Sequence, residues 1–262
     1  MSNPRDLIGL VEQNLRMLTD AFVANINDYF FTEKELHAYF YHLSMMSGAF
    51  QHRGHYLIHT EYPSPFKCSY INDKPYIKHE SVDSKTQRSH IDCVLINPRF
   101  IDWLLDNGRG IKELIGIGNK RFDIYIKAFY DTYAQFNQET GEAILLYAVE
   151  FKFLRHSYAG RKYPARGIHQ DIAKLRLLRQ FGEGQPYKID FVTRTKLVIF
   201  IGDRTQRAGR TIRAEMEGYN PDEYVMITRR PYQNNQPDRE WARRLNCFPP
   251  PRRVSRNVRL LV

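Results

Sequence analysis

Cysteine is scarce in this chain. The three present, Cys68, Cys93 and Cys247, are scattered and odd in number, which excludes a disulfide framework and fits a reducing cytoplasm. Also missing is any apolar run of the roughly 18 to 20 residues that a membrane helix needs. The best runs, Ala143 to Val149 and Leu197 to Gly202, are strand-sized, so no membrane insertion is expected. The opening Met-Ser-Asn-Pro-Arg-Asp lacks the basic-then-apolar layout of a secretory leader, and a cytoplasmic location is the expectation. Gly116-Ile-Gly118-Asn-Lys120 has neither the Walker spacing nor the full dinucleotide fingerprint, so a nucleotide cofactor is not supported. No Gly-x-Ser-x-Gly elbow occurs, and no Cys and His pair suggests a nucleophile. His52, His55 and His59 do not make a zinc site, because His52 falls off the face shared by the other two and no cysteine cluster completes a tetrahedral set. Internal repeats are absent as well.

Positive charge is plentiful. Lys and Arg number 39 against 29 Asp and Glu, a formal charge of +10 with a pI near 9.5. An excess of this size points to a polyanionic partner, nucleic acid first, unless it serves solubility alone. Hydrophobic residues at 42% are enough for one large core or two small ones.

Apolar positions at helical spacing predict a helix from Leu7 to Phe31, and Thr32 with Glu35 forms a capping box that opens a second helix to about Met46. Five strands are then expected: Tyr56 to Tyr62, His90 to Ile96, Ile144 to Leu154, Lys196 to Ile201 and Glu223 to Thr228. Between the second and third lies an insertion with a helix near Phe122 to Phe136, whose aromatic stripe reads as core packing. A further helix runs from about Ile168 to Phe181 and stops at Gly182. The expected class is α/β, a mixed central sheet flanked by helices. One domain would cover residues 1–248, with a helical N-terminal part at 5–47 and a helical insertion at about 99–142; residues 249–262 form a basic Pro and Arg-rich tail.

Val149-Glu150-Phe151-Lys152-Phe153 carries two charges spaced by two inside the most apolar run of the chain, so both face one side of the strand. An unpaired buried ion costs several kcal/mol, and such charges need a reason unless the face is solvated. Asp92 repeats the anomaly within His90-Ile-Asp-Cys-Val-Leu-Ile96, where Asp is disfavoured. Glu61, ahead of a Pro-Ser-Pro turn, adds a third carboxylate or merely a strand-end charge. Three carboxylates and a lysine from adjacent strands suit a hard cation: Mg²⁺, with Mn²⁺ as a substitute, held by Asp92, Glu150 and Glu61. An ion so held activates water and stabilises charge on a phosphodiester, with Lys152 beside it.

These stretches resemble the PD-(D/E)XK nuclease superfamily, which includes restriction endonucleases, Holliday junction resolvases and RecB-like exonucleases. The likeness runs from Glu33 through Glu61, Arg88-Ser-His-Ile-Asp92 and Glu150-Phe-Lys152 to Gln170-Asp-Ile-Ala-Lys174. It implies a restriction endonuclease-like core in which Asp92 and Glu150 hold metal, Lys152 assists the attacking water, and Gln170 with Lys174 arranges the site and contacts phosphate. Ile91 stands where the family usually has Pro, and the gap from Asp92 to Glu150 is long, so the insertion must leave the sheet and return. Glu33 reads equally as an exposed first-turn residue favoured by the helix dipole.

The loop after the third strand places Arg155, Arg161, Lys162 and Arg166 among Tyr158 and Tyr163. It can neutralise phosphates and stack bases, or be a solvated basic loop. The expected activity is a Mg²⁺-dependent DNA endonuclease or other nuclease, a phosphodiester hydrolase with RNA ranked behind DNA as substrate. The alternative is a catalytically silent nuclease-fold module that binds DNA or assembles in a DNA-processing or defence complex. A homodimer would help cut both strands, although no segment demonstrates one.

Overall fold

A computed structural model describes residues 4–25, 32–63, 67–71, 74–78, 90–110, 122–154, 164–179, 190–201 and 207–228. Helix α1 (Pro4–Asn25) turns Val11, Leu15, Leu18 and Phe22 into the core at steps of three and four. Leu10, expected on that face, is exposed, and the residues just after Asn25 lie outside the described set. Helix α2 (Glu33–Ser47) starts on the expected capping box: the Glu35 amide donates to Thr32 Oγ1 at 3.2 Å while the Thr32 amide donates to Glu35 Oε2 at 2.6 Å. Gly48, in the left-handed region at φ 61°, ends it.

Two short strands, β1 (Gln51–His52) and β2 (His55–Tyr56), form a small hairpin before the sheet. The five expected strands are all present and make one mixed sheet: β3 (Ile58–Pro63), β6 (His90–Ile96), β7 (Leu145–Leu154), β8 (Val192–Ile201) and β9 (Tyr224–Thr228), in spatial order β3-β6-β7-β8-β9. The pairs β3/β6 and β6/β7 are antiparallel, whereas β7/β8 and β8/β9 are parallel. Helix α5 (Pro164–Arg179) connects β7 to the parallel β8 and buries Ile168, Ile172, Leu175 and Leu178. Phe151 of β7 meets Phe22 of α1 and Phe40 of α2, so those helices cover one face. Glu150 meets Lys174 of α5 on the other. The architecture is therefore α/β with helices on both sides of the sheet.

Sequence reading did not anticipate a second hairpin, β4 (Lys67–Ile71) with β5 (Lys74–Lys78), nor helices α3 (Pro98–Asp106) and α6 (Arg207–Met216). The insertion holds α3 and α4 (Phe122–Thr140), which meet through Phe100 and Phe136 with ring centroids 4.9 Å apart. Both are buried, as is Tyr133, so Tyr133 and Phe136 have the expected core role, while the side chains of Phe122, Tyr125 and Phe129 lie outside the described set. Buried Asn97 closes the two ends of this excursion. Its amide donates to the Ile144 carbonyl at 2.8 Å, its Nδ2 to the Ala143 carbonyl at 2.9 Å, and its Oδ1 accepts from the Arg99 amide as the N-cap of α3. The long gap between Asp92 and Glu150 thus leaves the sheet and returns to the same point. Among the described residues no helix is long and apolar enough to cross a membrane.

Candidate active site

The site begins where two strands part. Backbone pairing between β6 and β7 ends at Cys93 and Val149, and β7 continues alone past that point on its β6 side. Its amides still need acceptors, since a buried N–H without one costs about 1–3 kcal/mol. Two carboxylates supply them. Asp92 Oδ2 accepts from the Phe151 amide at 2.7 Å, and Glu33 Oε2, from the first turn of α2, accepts from the Phe153 amide at 3.1 Å. His37, one turn beyond Glu33 on the same helix, brings Nε2 to 3.3 Å from Asp92 Oδ2, and its ring rests on Phe151 at a centroid distance of 5.0 Å.

The other face of β7 presents Glu150 and Lys152 to α5. Glu150 is buried, with Oε1 2.7 Å from the ammonium of buried Lys174, which also donates to the His90 carbonyl at 2.9 Å. Lys152 lies 3.0 Å from Asp171 Oδ2 and 3.7 Å from Glu33 Oε2, so it links α5 to the start of α2. Gly167 makes room for it: a Cβ there would stand 3.0 Å from Lys152 Cε. On α5, Gly167, Asp171 and Lys174 are spaced by four and three and share one face.

Charge is not balanced in this cluster. Fully ionised, the carboxylates of Glu33, Asp92, Glu150 and Asp171 exceed the ammonium groups of Lys152 and Lys174 by two. Burial pushes the Glu150 carboxyl well up against the opposing pull of Lys174, and burial likewise raises Asp171 against Lys152 and Lys174. For Asp92 burial also pushes upward, but the His37 contact, the Phe151 amide and Lys174 outweigh it and hold the group below the usual range. Burial would lower Lys152; the carboxylates of Asp171, Glu33 and Asp92 overcome it and keep the ammonium protonated. Lys174 is raised in the same way, chiefly by Glu150.

The residues fit a divalent cation. Glu150 Oε1 and Asp171 Oδ2 are buried and each meets one ammonium, at 2.7 and 3.0 Å; a carboxylate oxygen accepts more than one partner, so both keep acceptor capacity. An excess of two negative charges is what one such ion neutralises, and its ligands would be carboxylate oxygens. A buried ion pair alone contributes little net stability relative to an apolar pair, so Glu150 and Lys174 need a reason beyond folding.

The structure brings Asp92, Glu150, Lys152 and Lys174 into one electrostatic cluster. Glu61 lies on β3 between the pairs Thr60/Cys93 and Tyr62/Ile91, hence opposite Asp92, but it is exposed and adopts φ 50°, unusual for a residue with a side chain. Gln170 is half-buried on α5. Arg155, Arg161 and Lys162 fall outside the described residues, as do Gly182 and the tail, and Arg166 is described only as part of α5. Asp171 and His37 received no role from the sequence, and Glu33 was divided between the start of the family likeness and an exposed first-turn residue. Their signal was spacing: Asp171 follows Gln170 three places before Lys174, and His37 follows Glu33 by one helical turn.

In comparisons with models of protein families, with curated proteins and with solved structures, none matches this chain.

Proposed function

We propose that the protein is a Mg²⁺-dependent DNA nuclease with a restriction endonuclease-like core, hydrolysing phosphodiester bonds, with Mn²⁺ able to replace Mg²⁺. The observation that carries this reading is the meeting of Asp92, Glu150 and Lys152 where β6 and β7 separate. A bound divalent ion would supply Lewis acidity, orienting and activating a water and stabilising the charge on phosphate. Asp92, ionised at neutral pH, and Glu150 are the carboxylates placed to hold it. Lys174 orients Glu150 through their ion pair. Lys152, kept protonated, does not act as a base; it sets a positive charge beside the position where negative charge develops. Asp171 and Glu33 hold its ammonium in place. The overall charge of +10 and the arginine-rich segment after β7 support a nucleic-acid substrate.

The test is incubation of the full chain with single-stranded and duplex DNA and with RNA, adding Mg²⁺ or Mn²⁺. Asp92→Asn and Lys152→Ala are each expected to slow cleavage by ~100-fold or more, the range in which removal of one transition-state contact falls, without loss of the folded state. Cleavage unchanged in both variants would defeat the proposal. Salt-sensitive DNA binding with no cleavage under any divalent ion would support the silent-module alternative instead.

A further inference from the structure

We infer that Glu33, His37 and Asp92 form a mixed nitrogen and oxygen subsite for a first-row transition-metal ion, on the α2 side of the parting strands. Potential ligand atoms of the three residues all lie within 4.8 Å of one another. The group contains more than acidic residues. His37 is only 7% exposed, and its Nε2 is buried without an aligned hydrogen bond, pointing instead toward Asp92 Oδ2 at 3.3 Å. That contact is long and shared, because Asp92 Oδ2 also accepts from the Phe151 amide at 2.7 Å, so the buried imidazole nitrogen keeps coordinating capacity. Phe151 packs against the ring, Glu33 is fixed by the Phe153 amide and Asp92 by the Phe151 amide, so all three groups are already oriented.

Ligand chemistry then selects the ion. Mg²⁺ prefers oxygen throughout and keeps much of its water, whereas imidazole suits transition metals. One imidazole with two carboxylates therefore favours an ion such as Mn²⁺ over Mg²⁺. Glu150 and Asp171 present only oxygen and sit on the α5 side of β7, so they do not confer that preference. The inference rests on the metal-centre part of the proposed function through Asp92, but it does not depend on phosphodiester cleavage.

The experiment titrates Mn²⁺ into the full chain in excess Mg²⁺, following bound ion by electron paramagnetic resonance and probing its ligands by electron spin echo modulation. The expected result is bound Mn²⁺ that resists displacement by Mg²⁺ and shows coupling to an imidazole nitrogen. His37→Ala should remove that coupling and weaken Mn²⁺ by ~10-fold or more, since even groups one shell outside a metal's ligands are worth that much. Glu33→Gln, at a half-buried helix start, gives the same affinity readout should the His37 variant fail to fold. Bound Mn²⁺ without nitrogen coupling, or binding lost in Glu150→Gln yet intact in both α2 variants, would overturn the subsite while leaving the nuclease reading standing. Nitrogen-coupled Mn²⁺ in a protein that cuts nothing would do the reverse.

Discussion

Gly167 acts through the side chain it lacks. A methyl group there would press on Lys152 Cε at 3.0 Å and approach Nζ at 3.7 Å, while the lysine is held from its other side by Asp171 and Glu33. In a helix, alanine is favoured over glycine by about 0.8–1.0 kcal/mol. Gly167→Ala is therefore expected to leave the melting temperature equal or higher while slowing metal-dependent cleavage several-fold, because Lys152 must give way. Melting and cleavage measured on the same preparation check this; an unchanged rate would separate Gly167 from the site. Asp92, Glu150 and Lys152 could be picked out in the sequence because a charge within an apolar strand is costly and stands out. His37 and Asp171 could not, since polar residues on helices ordinarily face water at no cost, and only the fold turns these two inward.

At the scale of elements, α2 matters most through its first turn, which carries Glu33, with His37 one turn on. Thr32→Ala removes one half of the capping box and is expected to cost about 1 kcal/mol in urea unfolding. Fraying of that turn should also weaken Mn²⁺ binding, because Glu33 immediately follows the cap; a stability loss near zero would mean the box is redundant. The five sheet strands were readable because each is a dense apolar or β-branched run. Helix α3 was missed although Asn97-Pro98 is a good start signal, because its apolar residues follow directly on β6 and merge with it. Helix α6 buries Ile212 and Met216, one turn apart, and two apolar positions in a short polar segment are too few to stand out as a helical stripe. The β4/β5 hairpin is lysine-bearing and outside the main sheet, and its strands are five residues long with Pro75 in the second, too short a signal to stand out.

For the molecule as a whole, the charged cluster links stability, pH and cations. Glu150 and Asp171 bind their protons more tightly folded than unfolded, so the stability they contribute is complete below the ordinary carboxyl range and is lost as pH rises through their raised values. Asp92 runs the other way, contributing above its ordinary value and losing that contribution as pH falls through its depressed one. A divalent ion requires the carboxylates deprotonated, so the gain in melting temperature from adding Mg²⁺ or Mn²⁺ should be larger at about pH 8 than at about pH 5. At a hundredfold excess over Kd the gain corresponds to about 2.7 kcal/mol. Thermal melts with and without ion at both pH values test it, and an equal gain at both would place the ion away from these groups.

The Asn97 clasp has a consequence for how much chain the fold tolerates between its two key carboxylates. Since Asn97 and Ile144 are neighbours through one backbone hydrogen bond, the excursion between them is a closed detour. Lengthening such a detour costs little closure entropy, about 0.6 kcal/mol per doubling. Residues added between α3 and α4 are therefore expected to leave the alignment of Asp92 against Phe151 unchanged, and such an insertion is a natural place for a tag or a targeting module.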